Sequence, residues 1–447
     1  MRTLITNVTM VNEGVCFNGC LLINDLYIEK IFQEPEALEN ARLFSPEPDV
    51  TVDGTGLILI PGVIDDQVHF REPGQPAKGS IEQESRAALL GGVTSFMDMP
   101  NNNPPAITAA LLKEKYSRAA RTSYINYGFY LGATNGNAGE VTASPPTGCG
   151  LKIFMGSSTG NMLVDDPIAL ETFFRDYKGI IATHCEEETI IRHNLQQAKE
   201  QYGEHIPVEM HPIIRSREAC IASTRKAIEL ATRFGTRLHI LHISTKEEVA
   251  LIQEAAIRNP QITGEVCVHH LWFSDGDYTK MGNLIKCNPA IKTMEDREAL
   301  RQAVAKGIIG VIGSDHAPHT LEEKQAPYLQ APSGLPLVQH SLQMMLELYD
   351  KGLFTLPRIV EGLCHGPARV FGLSRRGFLK EGYFADLVLI DPAHGMTVTK
   401  ESLAYTCGWS PLEGHTFSNT IRSVYINGQL AAENSRISRK PHPLPVS

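Results

Sequence analysis

Short apolar runs alternate with longer amphipathic segments through the middle of this 447-residue chain. The apolar runs have the length and β-branched content of buried strands, and the segments between them repeat apolar residues at helical spacing. Such alternation is typical of a parallel sheet covered by helices, the α/β class. Eight strands of this kind predict a (β/α)8 barrel, and they comprise residues 59–66, 94–99, 124–130, 151–154, 180–184, 238–242, 266–269 and 311–314.

The amphipathic segments predict helices between most of these strands. Apolar residues recur in them three or four positions apart, which places one apolar face against the sheet. The predicted helices comprise residues 80–90, 106–121, 167–177, 186–202, 215–234, 246–259, 295–306 and 335–349.

Both ends of the chain show a different pattern, of short strands separated by turns. The polar, proline-containing segment 34–47 predicts a loop, and the three prolines of residues 440–447 predict an irregular tail. We expect the two ends, residues 1–55 and 376–447, to combine into a small β-sandwich domain. Residues 56–375 would form the barrel. The predicted terminal strands are residues 4–11, 20–24, 26–32, 50–52, 382–391 and 421–426.

Composition narrows the class of protein. The net charge of −9 argues against nucleic acid or an anionic membrane as the main partner. Nine cysteines without a CxxC pair fit reduced thiols better than a disulfide framework. Residues 1–7 show no hydrophobic signal-peptide core, and no apolar run approaches the roughly 20 residues of a membrane span. We therefore expect a cytoplasmic protein.

Polar side chains follow nearly every predicted barrel strand. The carboxyl ends of barrel strands meet at one rim, where active sites form. A capping or core role is the simpler explanation for any single histidine, but the whole set favours a functional site. These residues are Gln67, His69, Asp98, Asn101, Lys152, His184, His242, His269, His270, Asp315, His316 and His319.

Four of these side chains are candidate metal ligands: His69, His184, His242 and Asp315. Imidazole and carboxylate groups suit zinc and similar ions. Gln67 stands where a His-x-His pair would have its first histidine. Residues i and i+2 of a strand share a face, so its amide oxygen could help to bind a metal, but as a neutral and poorer ligand.

Lys152 is an unusual member of this set, because an ammonium would repel a cation. Buried lysines shift their pKa readily, and a neutral amine can add carbon dioxide to give an anionic carbamate. The simpler alternative is a salt bridge to Asp315 or Asp98, and residue type alone favours that alternative.

The motifs of this chain resemble those of the dihydroorotases, cyclic amidohydrolases of the amidohydrolase superfamily. HFREPG, MPNNNP and SDHAPH are together highly specific, and each alone is moderately so. The segments that carry the resemblance are residues 66–74, 98–104, 151–154, 183–186, 241–244, 288–289 and 313–319.

The resemblance implies a reversible, zinc-dependent hydrolysis of the cyclic amide of dihydroorotate to carbamoyl aspartate, a step of pyrimidine biosynthesis. It implies one or two zinc ions, bridged by carboxylated Lys152, and a proton-transferring role for Asp315. Self-association and a partnership with aspartate transcarbamoylase are further expectations. The implied metal ligands are His69, Lys152, His184, His242 and Asp315, with Gln67 in doubt, and the implied substrate-binding residues are Arg71, Asn101, Asn288, His319, Ser333 and Gly334.

Two alternatives stay open at this point. One is another cyclic amide hydrolase, such as a hydantoinase or an allantoinase, although Arg71, Asn101 and His319 favour a carboxylated substrate. The other is an inactive homologue that scaffolds aspartate transcarbamoylase, for which Gln67 is the sequence support. Because only Gln67 departs from the implied set of metal ligands and the other ligands are present, we favour an active enzyme.

Overall fold

The computed structural model describes residues 1–33, 37–43, 46–156 and 162–446. Part of the predicted loop, at residues 34–36 and 44–45, lies outside this range. Within the loop prediction, Ala37–Leu43 is a helix instead. The strands are β1 (Arg2–Asn12), β2 (Val15–Asn24), β3 (Tyr27–Gln33), β4 (Val50–Asp53), β5 (Ile58–Pro61), β6 (Val63–Val68), β7 (Val93–Asp98), β8 (Asn126–Phe129), β9 (Leu131–Gly132), β10 (Leu151–Phe154), β11 (Ile181–His184), β12 (Leu238–Ile240), β13 (Ile262–Cys267), β14 (Val311–Gly313), β15 (Leu387–Asp391), β16 (Met396–Thr397), β17 (Thr416–Phe417), β18 (Thr420–Ile426), β19 (Gln429–Glu433) and β20 (Arg436–Ile437).

The helices lie mostly between the parallel strands. Several begin with a side-chain cap, such as Thr245 before α9, where Thr245 and Glu248 form a reciprocal capping box. The helices are α1 (Ala37–Leu43), α2 (Ile81–Leu90), α3 (Ala109–Thr122), α4 (Ala138–Ala143), α5 (Pro167–Asp176), α6 (Glu188–Tyr202), α7 (His211–Ile214), α8 (Arg217–Phe234), α9 (Lys246–Arg258), α10 (Val268–Trp272), α11 (Tyr278–Met281), α12 (Met294–Ala305), α13 (Leu321–Gln325), α14 (Ser341–Asp350), α15 (Leu356–Val360) and α16 (Gly366–Val370).

The parallel strands of the middle region confirm the predicted α/β class. They form two sheets, β6-β7-β8 and β9-β10-β11-β12-β13-β14, in which neighbouring strands run parallel. β9 follows β8 after one residue. A parallel bridge joins Val68 to His316 just after β14, and the amide of His69 donates to the carbonyl of His316 across 2.7 Å. The end of the first parallel strand therefore lies beside the segment that follows the last.

A largely antiparallel sheet is built from both ends of the chain. Its strand order is β20-β19-β18-β15-β5-β1-β2-β3, with β4 beside β1. One surface carries a separate apolar cluster that includes Ile5, Leu21 and Leu387. The terminal segments thus share one sheet although they are far apart in sequence.

The prediction of one strand over residues 59–66 is wrong, because two strands divide that run. β5 pairs with β1 and β15 in the terminal sheet, whereas β6 pairs with β7. Gly62 separates them at a close contact, since a Cβ there would lie 2.0 Å from the Thr94 hydroxyl oxygen. A continuous apolar run does not reveal that the chain changes sheets.

Two other boundaries differ from the prediction. β13 ends at Cys267, and His269 lies in helix α10, where its carbonyl accepts a hydrogen bond from the amide of Phe273. The helix predicted over 335–349 begins only at Ser341. Leu335 instead pairs with His316 in extended form, and the proline at 336 disfavours helical backbone before it.

The C-terminal tail has no helix or strand over residues 440–446, as predicted, but it lies along a strand of the middle region. The amide of Tyr127 donates to the carbonyl of Leu444 across 3.1 Å, and the amide of Val446 donates to the carbonyl of Tyr127 across 2.9 Å. Tyr127 lies in β8, the edge strand of its sheet. The tail therefore satisfies backbone groups that an edge strand would leave unpaired.

All nine cysteines are free thiols. Among the described residues, no helix is long and apolar enough to cross a membrane.

Candidate functional site

All the metal ligands and substrate-binding residues that the family resemblance implies line one cavity. It has a volume of about 210 Å³ and lies at the carboxyl ends of the parallel strands. Phe154, Ala317 and Pro332 also line it, and sequence reasoning did not single them out. The predicted residues in its wall are Gln67, His69, Arg71, Asn101, Lys152, His184, His242, Asn288, Asp315, His319, Ser333 and Gly334.

Several side chains that line this cavity lie in or just after the parallel strands. Lys152 lies within β10 and His184 ends β11, while His242 and Asp315 each follow a strand by two residues. Arg71, His242 and Asp315 have φ angles of 65°, 39° and 44°. Left-handed backbone at a non-glycine residue costs on the order of 1–3 kcal/mol and persists where the surrounding structure enforces it. Three such residues in one cavity indicate that the surrounding structure holds the backbone of this site in a conformation that non-glycine residues disfavour.

His184 and His242 face each other. Nδ1 of His184 lies 2.9 Å from Nε2 of His242. On the other side of its ring, Nε2 of His184 lies 2.9 Å from the carboxylate of Glu186, which also contacts Arg215. Burial lowers the pKa of both histidines, so both imidazoles are neutral at physiological pH. Two facing imidazole nitrogens, one of them oriented by a carboxylate, suit a shared metal ion.

Asp315 is the carboxylate at the centre of the cavity. Its Oδ1 lies 3.1 Å from Nε2 of His69 and 3.1 Å from the amide nitrogen of Gln67. Nδ1 of His69 in turn lies 2.8 Å from Oδ1 of Asn101. Burial opposes ionisation of Asp315, but the contact with His69 and the nearby positive charges lower its pKa overall. Asp315 is therefore a carboxylate at neutral pH.

Gln67 presents its amide nitrogen to Asp315. Its oxygen points to the thiol of Cys267, at a distance of 3.9 Å. The side chain is buried, at 1% exposure. In this arrangement Gln67 is a hydrogen-bond donor to the central carboxylate, and its role as a metal ligand stays a prediction.

Lys152 is buried beside the ring of Phe154, with Nζ 4.7 Å from the ring centroid. Burial lowers its pKa to about 8, so a substantial fraction of the side chain is neutral amine near pH 8. Within the described part of the chain it forms no salt bridge shorter than 4.0 Å. Asp98 instead binds Lys115, which removes one of the two salt bridges considered for Lys152. These properties fit an amine that can react with carbon dioxide.

Arg71 brings a cationic group into the cavity wall. It is 8% exposed, and its Nε donates to the carbonyl of Pro318 across 3.0 Å. Its Nη2 lies 3.0 Å from Nε2 of His319. Burial lowers the pKa of Arg71 to about 10, so the guanidinium remains charged at neutral pH. The carboxylate of the adjacent Glu72 lies near Arg118, 3.7 Å from its guanidinium.

Two buried lysines donate hydrogen bonds to the backbone of the loop that carries Ser333 and Gly334. Neither lysine was predicted from the sequence. Nζ of Lys324 donates to the carbonyls of Pro332 and Gly334, both across 2.9 Å. Nζ of Lys286 donates to the carbonyl of Ala331 across 2.6 Å. Neither lysine follows a strand end, so the alternation pattern gave no signal for them.

Gly334 is required by the close packing of this loop. Its φ is 145°, and a Cβ there would lie 2.3 Å from the carbonyl oxygen of Ala317. The carbonyl of the neighbouring Ser333 lies 3.1 Å from Nε2 of His319. The loop thus closes one wall of the cavity against the segment that carries His319.

Several polar residues at the strand ends lie outside the cavity wall. Asp98 accepts from the amide of Phe70 and binds Lys115. His316 lies 3.0 Å from Glu84, and His270 lies 3.1 Å from the carbonyl of Pro289. These groups hold neighbouring loops in place. Glu186 was overlooked, although its position two residues after His184 puts it within reach of that ring.

The donor set fits a metal. Nδ1 of His242 is buried and has no hydrogen-bond partner among the described residues. Four imidazoles, one carboxylate and the amine of Lys152 line the same cavity. Nitrogen and oxygen donors of this kind suit zinc and similar divalent ions.

Comparison with known proteins identifies the family of this chain. The sequence matches the amidohydrolase family over residues 58–431. It is 34% identical over 361 residues to a dihydroorotase of Halobacterium salinarum, covering 80% of this chain and 82% of that protein. It is 32% identical over 386 residues to an allantoinase of Bacillus velezensis, covering 85% of this chain and 84% of that protein.

A solved structure shows the same fold over the whole length. The L-hydantoinase of Arthrobacter aurescens superposes with a TM-score of 0.91 at 25% identity, and covers 100% of this chain and 99% of its own. The family match spans most of the chain and includes every residue of the cavity wall. This chain belongs to the amidohydrolase family.

Proposed function

We propose that this chain catalyses the dihydroorotase reaction, the reversible hydrolysis of the cyclic amide of dihydroorotate to carbamoyl aspartate. The observation that carries the proposal is the buried guanidinium of Arg71 in the same 210 Å³ cavity as the donor set. A cyclic amide with a carboxylate substituent needs both a group that opens the ring and a cation that binds the carboxylate. The similarity to a protein named dihydroorotase supports the same conclusion.

The metal would be held by His69, Lys152 as its carbamate, His184, His242 and Asp315. The facing nitrogens of His184 and His242 and the lowered pKa of Lys152 support this assignment. When bound, one or two zinc ions would activate a water molecule and polarise the ring carbonyl. Gln67 would contribute its amide donor to Asp315 rather than a strong ligand.

Asp315 would move the proton. As a carboxylate it can accept a proton from the attacking water, and once protonated it can donate to the ring nitrogen as the C–N bond breaks. The donors on Asp315 from Gln67 and His69 favour its ionised form before the reaction. The same residue thus acts first as base and then as acid.

The substrate carboxylate would be bound by Arg71, Asn101 and His319. The guanidinium is a planar fork of donors that matches a carboxylate, and His319 lies beside it. Asn288 and the Ser333–Gly334 backbone would contact the ring, since all three residues line the same cavity. This arrangement places the ring amide toward the metal ligands.

We also infer that the parallel strands close into a (β/α)8 barrel. The bridge between Val68 and His316 and the short step from β8 to β9 support closure. The terminal sheet would be the β-sandwich domain, with limits of 1–55 and 376–447 around the barrel. A cytoplasmic location, self-association and a partnership with aspartate transcarbamoylase stay predictions.

A second candidate is the hydrolysis of an uncharged cyclic amide. The similarity to a protein named allantoinase favours it. The buried charge of Arg71 argues against it, because allantoin and hydantoin carry no carboxylate to bind there. The hypothesis of an inactive scaffold is not favoured, since Gln67 donates a hydrogen bond to Asp315 and the other candidate metal ligands are all present in the cavity.

A substrate panel decides between these activities. Full-length protein loaded with zinc and bicarbonate is assayed for ring opening of dihydroorotate, hydantoin and allantoin, and for ring closure of carbamoyl aspartate. We expect kcat/KM to be largest for dihydroorotate, with closure also measurable. Opening of hydantoin or allantoin without opening of dihydroorotate would assign the chain to the second candidate.

A further inference from the structure

A second group of metal-type side chains lies inside the parallel strands, outside the wall of the catalytic cavity. Asp66 of β6, His239 of β12 and Glu265 of β13 are each 0% exposed. One donor atom from each of the three lies within 4.8 Å of the other two. The group is next to the cavity but contributes no residue to its wall.

The spacing of these donors matches a small divalent ion. Nε2 of His239 lies 3.3 Å from Oδ2 of Asp66 and 3.6 Å from Oε2 of Glu265. Four ligands about 2.0 Å from a tetrahedral zinc ion are roughly 3.3 Å from one another. The observed separations are therefore those of atoms that could bind the same ion.

Hydrogen bonding fixes which atom of His239 faces the two carboxylates. Nδ1 lies 2.8 Å from the hydroxyl oxygen of Thr263, and that hydroxyl donates its own proton to the carbonyl of Leu238. The hydroxyl oxygen is therefore an acceptor for Nδ1–H. In a neutral imidazole, Nε2 then presents a lone pair toward Asp66 and Glu265.

These inward-facing atoms lack hydrogen bonds. Both carboxylate oxygens of Asp66, Nε2 of His239 and Oε2 of Glu265 are buried without a hydrogen-bond partner among the described residues. Buried polar atoms are almost always partnered. A lone pair facing two carboxylates is repulsive unless a cation or a shared proton lies between them.

We propose that Asp66, His239 and Glu265 form an interior site for a divalent first-row cation, with zinc as the probe. Two carboxylates and one imidazole suit zinc or manganese. The ion would join β6, β12 and β13 and so brace the strands that carry Gln67 and Cys267. This proposal does not depend on which ring the enzyme opens.

Metal content of the full-length protein tests the proposal. In a variant with His184→Asn and His242→Asn, the cavity loses ligands while the interior site stays intact. We expect this variant, after loading with zinc and removal of free metal, to retain one zinc ion per chain. Adding Asp66→Asn and Glu265→Gln is expected to remove that ion.

The matched control is Glu248→Gln. Glu248 is also buried, but its carboxylate accepts from Thr224 and from the amides of Ser244 and Thr245. Metal content should not change in this variant. Unchanged zinc after Asp66→Asn and Glu265→Gln, in chains that fold, would overturn the proposal.

Crystals of the unmodified protein supply a measurement that needs no variant. Anomalous scattering at the zinc edge is expected to show a peak between Asp66, His239 and Glu265, in addition to any peak in the cavity. A peak in the cavity without one at the interior position would overturn the proposal and assign a shared proton to the three side chains. Turnover is not used in this test, so failure of the catalytic proposal would be seen separately.

Discussion

The side-chain amide of Gln67 donates a hydrogen bond to Oδ1 of Asp315 across 3.1 Å. The same carboxylate oxygen lies 3.1 Å from Nε2 of His69. The position where a His-x-His pair would have its first histidine therefore still acts on this carboxylate. A donor aimed at a carboxylate favours its charged form, which is the form that binds metal and accepts a proton.

Replacement of Gln67 by histidine should be tolerated. The imidazole restores a His-x-His pair with His69, so we expect zinc to bind more tightly and kcat to stay within about tenfold. Gln67→Leu is the matched control, since it removes the amide and should lower both kcat and zinc occupancy. Metal titration and steady-state rates measure these effects. Abolished activity in Gln67→His would mean that the amide itself is essential.

Lys152→Ala should remove both metal and activity. The substitution deletes the amine whose carbamate would bind the ions, and we expect a loss of at least about 100-fold in kcat. Lys292→Ala is the control, because Lys292 is also buried but donates to the backbone carbonyl of Ala290. Zinc content and rate are measured in parallel. Unchanged values for Lys152→Ala would exclude the carbamate.

Arg71→Lys should weaken binding of the substrate carboxylate. Lysine keeps the charge but loses the planar fork, and a charge-assisted hydrogen bond contributes about 1.5–3 kcal/mol. We expect kcat/KM for dihydroorotate to fall by about 10- to 150-fold, mainly through KM. Arg118→Lys, outside the cavity wall, should leave KM unchanged. An unaltered KM in Arg71→Lys would place the carboxylate elsewhere.

Lys324 should make stability depend on pH. Burial lowers its pKa from 10.5 in the unfolded chain to about 7 in the fold. Between these values the unfolded chain binds more protons, so the fold gains stability as pH rises from 7 toward 10.5. Below pH 7 the lysine is protonated in both states, and its contribution no longer changes.

The comparison with Lys324→Met isolates this effect. We expect the thermal midpoint of the unmodified protein to rise relative to that of the variant between pH 7 and pH 9. The exposed Lys306→Met should show no such trend. A difference between unmodified protein and Lys324→Met that stays constant over this pH range would contradict the lowered pKa.

The sequence predicted which side chains meet in one cavity better than it predicted the strand boundaries. His184, His242 and Asp315 could be placed because parallel strands bring their carboxyl ends together, whatever the exact boundaries. Residues 59–66 could not be divided between two sheets, because apolar runs in both sheets look alike. The division depends on pairing with segments that are distant in sequence, since β5 pairs with β1 and β15 whereas β6 pairs with β7.

Supporting residues were hard to find from the sequence. Lys324 lies in a polar stretch typical of a solvated surface, and Lys286 lies outside the strand ends. The burial of both lysines beside the Ser333–Gly334 loop depends on tertiary packing. The contacts of the tail were missed for a similar reason. Its prolines predicted an irregular segment, but they did not reveal that Leu444 and Val446 form backbone hydrogen bonds with Tyr127 of β8.

Turnover of dihydroorotate by the purified chain tests the central claim most directly. The full-length protein, loaded with zinc in the presence of bicarbonate, is assayed by the absorbance change on ring opening and by ring closure of carbamoyl aspartate. We expect turnover in both directions, with loss of both in Lys152→Ala. A folded, zinc-loaded protein that turns over neither compound would contradict the account.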